Sequence, residues 1–276
     1  MIKKQLINQI FKGAAGKESL VDLCIPENFN TKLVVFIHGF MGYKDWGSWN
    51  LFQDFYTSEG FGFCKYNVSH NGGTVENPID FSDLEAFSKN NYSYELEDLQ
   101  CVLNWLEKQF ETLPEIYLIG HSRGGGIALL TASDSRIKKI VTLAAISNIQ
   151  KRFPEGKQLE VWKTQGTRYV LNSRTNQKMP NSFSQYEDFI ANKDRLDLEK
   201  ACLNSKVPTM VIHGDMDTSV DIEEGKEIST WLKTRLFEIE EAEHSFGSTQ
   251  PWLEKELPEH LQKVCAITHA FFHIDF

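Results

Sequence analysis

Three residues of this chain carry the side chains that nucleophilic acyl transfer needs: Ser122, His244 and an aspartate at 215 or 217. Ser122 lies in Gly120-His121-Ser122-Arg123-Gly124, a match to the G-x-S-x-G nucleophile elbow. A serine hydroxyl is a weak nucleophile at neutral pH and needs a base. His244 could take its proton during attack and return it to the leaving group. Asp217 could hold the imidazole in the right tautomer and stabilise the imidazolium, with Asp215 as a competitor. Backbone N–H groups must then receive the oxyanion. The candidates are Arg123, directly after the serine, and Phe40, directly after His38-Gly39. Taken singly, His244 reads as a loop histidine, and His38 and His213, each preceding a glycine, read as loop supports. The joint order is specific: serine, acid, histidine, each at the end of a strand-like run.

Such chemistry requires that residues far apart in sequence be held at one edge. The apolar run that ends at Gly120 predicts a strand, and Ile127-Ala128-Leu129-Leu130 predicts the helix after it. The elbow glycines leave room for the sharp turn that strains the serine backbone. Leu33-Val34-Val35-Phe36-Ile37 reads as a strand buried on both faces, as in a parallel sheet. Phe61–Asn67, Ile140–Ala144, Thr209–His213 and Arg235–Ile239 read as further strands. Helices are predicted around Trp49–Tyr56, along Leu96–Phe110, over Glu223–Lys233 and from about Leu253 to the C-terminus. Strands alternating with helices mean βαβ units and a mainly parallel central sheet with helices on both faces. The carboxyl ends of its strands share one edge, where ligands bind. Residues 2–11 and Leu20–Ile25, joined by the Gly13–Gly16 turn, predict an antiparallel hairpin, and residues 74–92 read as loop.

Residues 147–206 break this rhythm. They are polar with isolated aromatics, and they predict a hairpin over Arg168–Met179 turning at Ser173-Arg174-Thr175-Asn176, then a helix over Tyr186–Leu196. The segment is expected to be a cap or lid inserted into a single domain spanning residues 1–276. Trp162, Tyr169, Phe183 and Tyr186 are its candidate substrate-pocket residues.

The bulk composition of the 276 residues, 41% hydrophobic and 24% charged, is that of a globular domain. A net charge of −9 argues against nucleic acid and against an anionic membrane surface as partners. No apolar run approaches the roughly 20 residues of a membrane span. Residues 1–11 lack the apolar stretch of a secretory signal, and Cys24, Cys64, Cys101, Cys202 and Cys265 show neither metal nor redox spacing. A cytoplasmic protein with reduced thiols is expected. His269 and His273 share a helix face, but no zincin glutamate lies between them, so helix packing is the expected role. No phosphate-binding glycine motif is present, and no metal or cofactor is expected.

The chain resembles the α/β-hydrolase superfamily along nearly its whole length. The matching features are His38-Gly39-Phe40-Met41-Gly42 after a strand, the Gly120–Gly124 elbow, His213-Gly214-Asp215-Met216-Asp217-Thr218-Ser219-Val220, and Ala242-Glu243-His244-Ser245-Phe246. It is similar in particular to cinnamoyl and feruloyl esterases and to catalytic domains of the prolyl oligopeptidase family. The serine sets it apart from haloalkane dehalogenases and epoxide hydrolases, which carry aspartate at the elbow, and from dienelactone hydrolases, which carry cysteine. The resemblance implies an α/β-hydrolase fold with a cap, and it selects Asp217 over Asp215, because the acid in such families precedes the loop valine by three. It further implies a carboxylesterase working through an acyl-enzyme on Ser122; thioesters would use the same parts. A peptidase or amidase is the alternative, needing acidic residues such as Glu187 or Asp188 for a substrate amino terminus. A non-catalytic binding module on the same scaffold is a third reading. The expected partner is a small ester or a short peptide-like molecule, bound by a monomer or homodimer.

Overall fold

In a computed structural model, which describes residues 1–172 and 174–274, the sheet follows the strand-like runs of the sequence. Ile2–Lys12 (β1) and Glu18–Pro26 (β2) form the antiparallel hairpin at one edge. Lys32–Ile37 (β3), Gly62–Tyr66 (β4), Glu115–His121 (β5), Ile137–Leu143 (β6), Thr209–Gly214 (β9) and Leu236–Ile239 (β10) follow, in the spatial order β1-β2-β4-β3-β5-β6-β9-β10. β2 pairs antiparallel with β4, and every pairing from β4 to β10 is parallel. The remaining strands, Thr167–Asn172 (β7) and Gln177–Ser182 (β8), form a separate hairpin.

Strand alternation divides the core into two layers. Leu33, Val35 and Ile37 of β3, with Ile116 and Leu118 of β5, point to one face. There they meet Tyr92–Glu107 (α3), Arg123–Leu130 (α4), Leu198–Asn204 (α7) and Ile222–Leu232 (α8). Val34, Phe36, Tyr117 and Ile119 point to the other face, against Trp49–Ser58 (α1) and Glu259–Phe272 (α9). Fully burying a side chain of this size is worth about 1.5–3 kcal/mol, so each central strand is held from both sides.

The stretch from 74 to 92, read as loop, contains the short helix Leu84–Lys89 (α2). Asp83 caps it by accepting a hydrogen bond from the Ala86 amide, while Ala86 and Phe87 turn inward. Six residues are too few to show a helical period. The segment between β6 and β9 is more regular than its composition foretells: Gly156–Gln165 (α5), the β7–β8 hairpin, Ser184–Ala191 (α6) and α7. The helix read over Tyr186–Leu196 is α6, which stops at Asn192. Of the four residues read as the hairpin turn, Ser173 lies outside the described residues.

Candidate active site

β5 delivers Ser122 to the carboxyl edge of the sheet and α4 begins at the next residue. The serine backbone is held at φ +56°, a left-handed value that a non-glycine residue adopts only under constraint. Close packing supplies the constraint. A Cβ at Gly120 would lie 2.2 Å from the Gly124 carbonyl oxygen, and one at Gly124 would lie 2.2 Å from the Ile37 carbonyl oxygen. The elbow thus presses against the end of β3, where the Gly39-Phe40 loop departs.

That loop is tied in place by His38. The buried ring donates from Nδ1 to the Gly39 carbonyl at 2.9 Å and accepts the Val68 amide at Nε2, 3.1 Å away. Burial pushes its pKa down, which keeps the ring neutral and able to do both. Gly39 comes so near the elbow that a Cβ on it would lie 2.9 Å from the Ser122 Cβ. Among the described residues, neither the Phe40 nor the Arg123 backbone N–H donates to another backbone group. Their side chains also meet. The Arg123 guanidinium lies 4.4 Å from the Phe40 ring centroid and 4.5 Å from that of Tyr92, and it pairs with buried Glu95 at 2.9 Å. Cation–π contact therefore joins the residues that carry both candidate oxyanion donors.

Asp217 is buried in the loop after β9. Its Oδ1 accepts the Ser219 and Val220 amides at 2.8 and 2.9 Å, and its Oδ2 accepts Nδ1 of His244 at 2.7 Å. Nε2 of His213 lies 3.3 Å from the same Oδ2 while donating to the Val220 carbonyl at 2.9 Å. Burial alone would raise the Asp217 pKa. The donations from His213, His244 and Val220 outweigh it and hold the carboxyl well below the usual carboxylate range. Asp215 is exposed and takes no part.

Because an ionised carboxylate only accepts, His244 carries its proton on Nδ1, and the neutral ring keeps Nε2 as a base. His121, the residue before the serine, donates from Nε2 to the His244 carbonyl at 2.9 Å. Burial, and then the positive charge that His244 takes on when protonated, push its pKa down to about 3. A neutral His121 thus fixes the His244 loop without adding a positive charge beside it. The structure brings Ser122, His244, Phe40 and Arg123 to the wall of one cavity of about 530 Å³. A second cavity of about 250 Å³ shares Phe40, Ser122 and His244, and its wall adds Met41, Trp46 and Trp49. Ser122 therefore stands where two pockets meet.

The four aromatics read as pocket residues lie elsewhere. Trp162 is buried, donates to the Asn181 carbonyl at 2.9 Å and stacks against Phe153; Phe183 and Tyr186 pack around the same rings. Tyr169 faces solvent with 64% of its surface exposed. Most aromatics of residues 147–206 pack into the apolar cluster on the α3 and α4 face of the sheet. The contribution of this segment to the larger cavity is instead Lys151, Arg152, Phe153, Arg168, Val170, Asn181 and Gln185. Alternation along β7 carries the signal for this, since Arg168 and Val170 share one face and Tyr169 takes the other. His213, read as a loop support, does hold the acid loop through the Val220 carbonyl, but its approach to Asp217 and the part played by His121 escaped the sequence reading. Their only mark was a histidine at the end of a strand beside a glycine or the serine.

His269 and His273 approach each other at 3.1 Å on α9, with Glu59 at 3.3 Å from His269, and both rings pack on Phe61. Among the described residues, no three histidine, cysteine or acidic side chains are grouped to hold a metal ion, and no helix is long and apolar enough to cross a membrane.

The sequence model of the α/β-hydrolase fold family matches residues 32–165. No curated protein sequence matches the chain significantly. Among solved structures, the chain is similar to Est1E from Butyrivibrio proteoclasticus with ferulic acid bound. The TM-score is 0.70 at 17% identity, over 96% of this chain and 98% of that one. It is similar to the esterase domain of a Rhodothermus marinus protein, with TM-score 0.63 at 18% identity over 98% and 97% of the two chains. It is also similar to the acylaminoacyl peptidase of Pyrococcus horikoshii, with TM-score 0.63 at 15% identity, over 98% of this chain but 41% of that one. Strand order, elbow geometry, sequence model and structural likeness agree: the chain has the α/β-hydrolase fold.

Proposed function

We propose that the protein is a serine hydrolase that cleaves carboxylic esters through an acyl-enzyme on Ser122. The observation that carries this reading is the hydrogen bond from His244 Nδ1 to the buried Asp217 carboxylate, made beside a serine strained at its elbow. In this reading Ser122 Oγ attacks the ester carbonyl carbon as His244 Nε2 takes its proton. The Phe40 and Arg123 amides receive the oxyanion, each donor being worth about 3–4 kcal/mol of the barrier. The imidazolium then gives its proton to the departing alkoxide. Water, deprotonated by the same ring, attacks the acyl carbon and frees the acid and Ser122. Thioesters require no further group.

Two pockets meeting at the serine suit an acyl group on one side and an alcohol on the other. The solved structures described as esterases lend support by analogy of fold. A peptidase that holds a substrate ammonium needs an acidic anchor, and the larger cavity has none among its described lining residues. Asp188, one expected anchor, instead accepts hydrogen bonds from Ser93 and Asn192. The cap role of residues 147–206 belongs to this proposal, since that segment supplies the far wall of the cavity.

The test is fluorophosphonate labelling followed by intact mass. One adduct on the wild type, and none on Ser122→Ala or His244→Ala, is the expected result. A folded wild type that takes no adduct and hydrolyses no short-chain ester would overturn the reading and favour a binding module.

A further inference from the structure

The larger cavity beside Ser122 has a charge opposite to that of the whole protein. The chain carries a net charge of −9, yet this wall presents Arg123, Lys151, Arg152 and Arg168 and no aspartate or glutamate among its described residues. Three of these cations have carboxylate partners outside the cavity lining: Arg123 pairs with Glu95, Arg152 with Glu224 and Lys151 with Glu227. Arg168 has no carboxylate partner among the described residues. Its guanidinium stacks over the Trp162 ring at 4.5 Å and donates once, from Nη2 to the Arg152 carbonyl at 3.1 Å. The Nε groups of both Arg152 and Arg168 are buried without an acceptor. A buried donor is seldom left so unless a ligand or water completes it. Burial, and then the nearby charge of Arg123, pulls the Arg168 pKa below its ordinary value, a strain that an anion would relieve.

We infer that this cavity binds an anionic oxygen group of the substrate, a carboxylate or a phosphate ester, with Arg168 as the residue that selects it. The inference rests on the hydrolase reading for what happens at Ser122, and it adds the class of ester. The chemistry fits the wall. A guanidinium offers parallel N–H donors that match carboxylate and phosphate geometry. Stacking on Trp162 orders the Arg168 side chain before the ligand arrives, which lowers the entropy lost on binding. Asn181 and Gln185 also line this wall, each with its amide nitrogen already donating once, to the Met179 and Ser88 carbonyls at 3.2 and 2.9 Å.

The experiment compares kcat/KM for charged esters and for their neutral counterparts. On the acyl side the pair is para-nitrophenyl hydrogen glutarate and para-nitrophenyl methyl glutarate. On the alcohol side it is para-acetoxybenzoate and its methyl ester, with acetoxyethyl phosphate against acetoxyethanol as the phosphate arm. At least one charged member should be preferred by about tenfold or more in the wild type. That preference should fall below roughly threefold in Arg168→Gln and lie between that value and the wild-type one in Arg168→Lys, which keeps the charge but loses the planar fork. The arm that responds identifies the anion and its side of the ester. If fluorophosphonate labels Ser122 while every neutral ester matches or exceeds its charged partner, the hydrolase reading stands and this inference falls. If no ester turns over and no adduct forms, the hydrolase reading falls on its own, and binding decides the inference. Saturable binding of para-acetoxybenzoate or acetoxyethyl phosphate to the wild type, weakened about tenfold by Arg168→Gln, upholds it. Failure of both to bind overturns it.

Discussion

Replacing Asp217 by asparagine is the sharpest test of the proposed triad, because the surrounding donors dictate how the new amide must lie. Oδ1 accepts two backbone amides, from Ser219 and Val220 at 2.8 and 2.9 Å. Those amides cannot turn, so the asparagine oxygen stays with them and its NH₂ takes the place of Oδ2. Oδ2 is the atom that accepts His244 Nδ1 at 2.7 Å. A donor there would oppose the Nδ1 proton and favour the tautomer protonated at Nε2, which cannot take the proton of Ser122. Loss of the base through the wrong tautomer is worth about 10⁴-fold in kcat. At 1.36 kcal/mol per tenfold this is about 5 kcal/mol of barrier. Asp215→Asn, at an exposed position outside the network, should stay within about twofold. The assay is kcat/KM on para-nitrophenyl acetate together with the rate of fluorophosphonate labelling. Each variant should be checked for folding by its thermal transition. If Asp215→Asn were the more damaged, or if Asp217→Asn kept a tenth of the activity, the assignment of the acid would be refuted.

Further outcomes follow from the packing around the site. Gly124→Ala would push a methyl to 2.2 Å from the Ile37 carbonyl and 2.6 Å from that of His38, both backbone atoms. A loss near the upper end of overpacking costs, about 3 kcal/mol, should lower Tm by roughly 6–12 °C and weaken labelling of Ser122; a Tm within 2 °C of wild type would contradict the contact. Asp22→Ala should cost about 1–3 kcal/mol in urea unfolding, because Lys44 and Lys65 lie 2.7 and 3.6 Å from that buried carboxylate, while Asp45 stays paired with both lysines. An unchanged urea midpoint would remove this network from the list of stabilising features. Asp98 gives a pH signature. Burial raises its pKa to about 7 against the opposing donations of Ala14 and Ser69. A raised folded value means that its contribution is full below the unfolded value of about 3.9 and is lost as pH rises through about 7. Over that window the stability of wild type relative to Asp98→Asn should fall, and a difference that stays flat or rises would overturn the assignment.

Much of the scaffold could be read from the sequence because burial on both faces leaves a local mark. Leu33–Ile37 and Ile116–Ile119 are unbroken apolar runs, and the structure shows why: alternate residues feed two separate cores. The helix read from Leu96, Leu99, Leu103, Leu106 and Phe110 buries the four leucines, since a single apolar face repeats at the helical period, but it ends at Glu107, before Phe110. α2 escaped because six residues cannot display a period, and its start depends on one cap, Asp83. α5 escaped because only Trp162 is buried along it, so no apolar stripe marks it.

The chemistry was legible in proportion to how locally it is made. The elbow is a contiguous motif whose glycines answer to measurable contacts, and the acid and histidine loops carry their residues at strand ends. What surrounds the serine is assembled from distant pieces. Trp162, Tyr169, Phe183 and Tyr186 read as pocket because aromatics often line pockets, but residues 147–206 need a core before they can offer a wall. Trp162, Phe183 and Tyr186 pack into that core, and the buried Trp162 ring in turn becomes the platform for Arg168. An arginine in a half-buried hairpin looks like a surface residue in the sequence. Only the fold shows that three neighbouring cations have carboxylate partners outside the cavity lining while this one has none among the described residues. On the proposed reading, specificity is a matter of which charge remains unbalanced, a property of the assembled wall rather than of any motif.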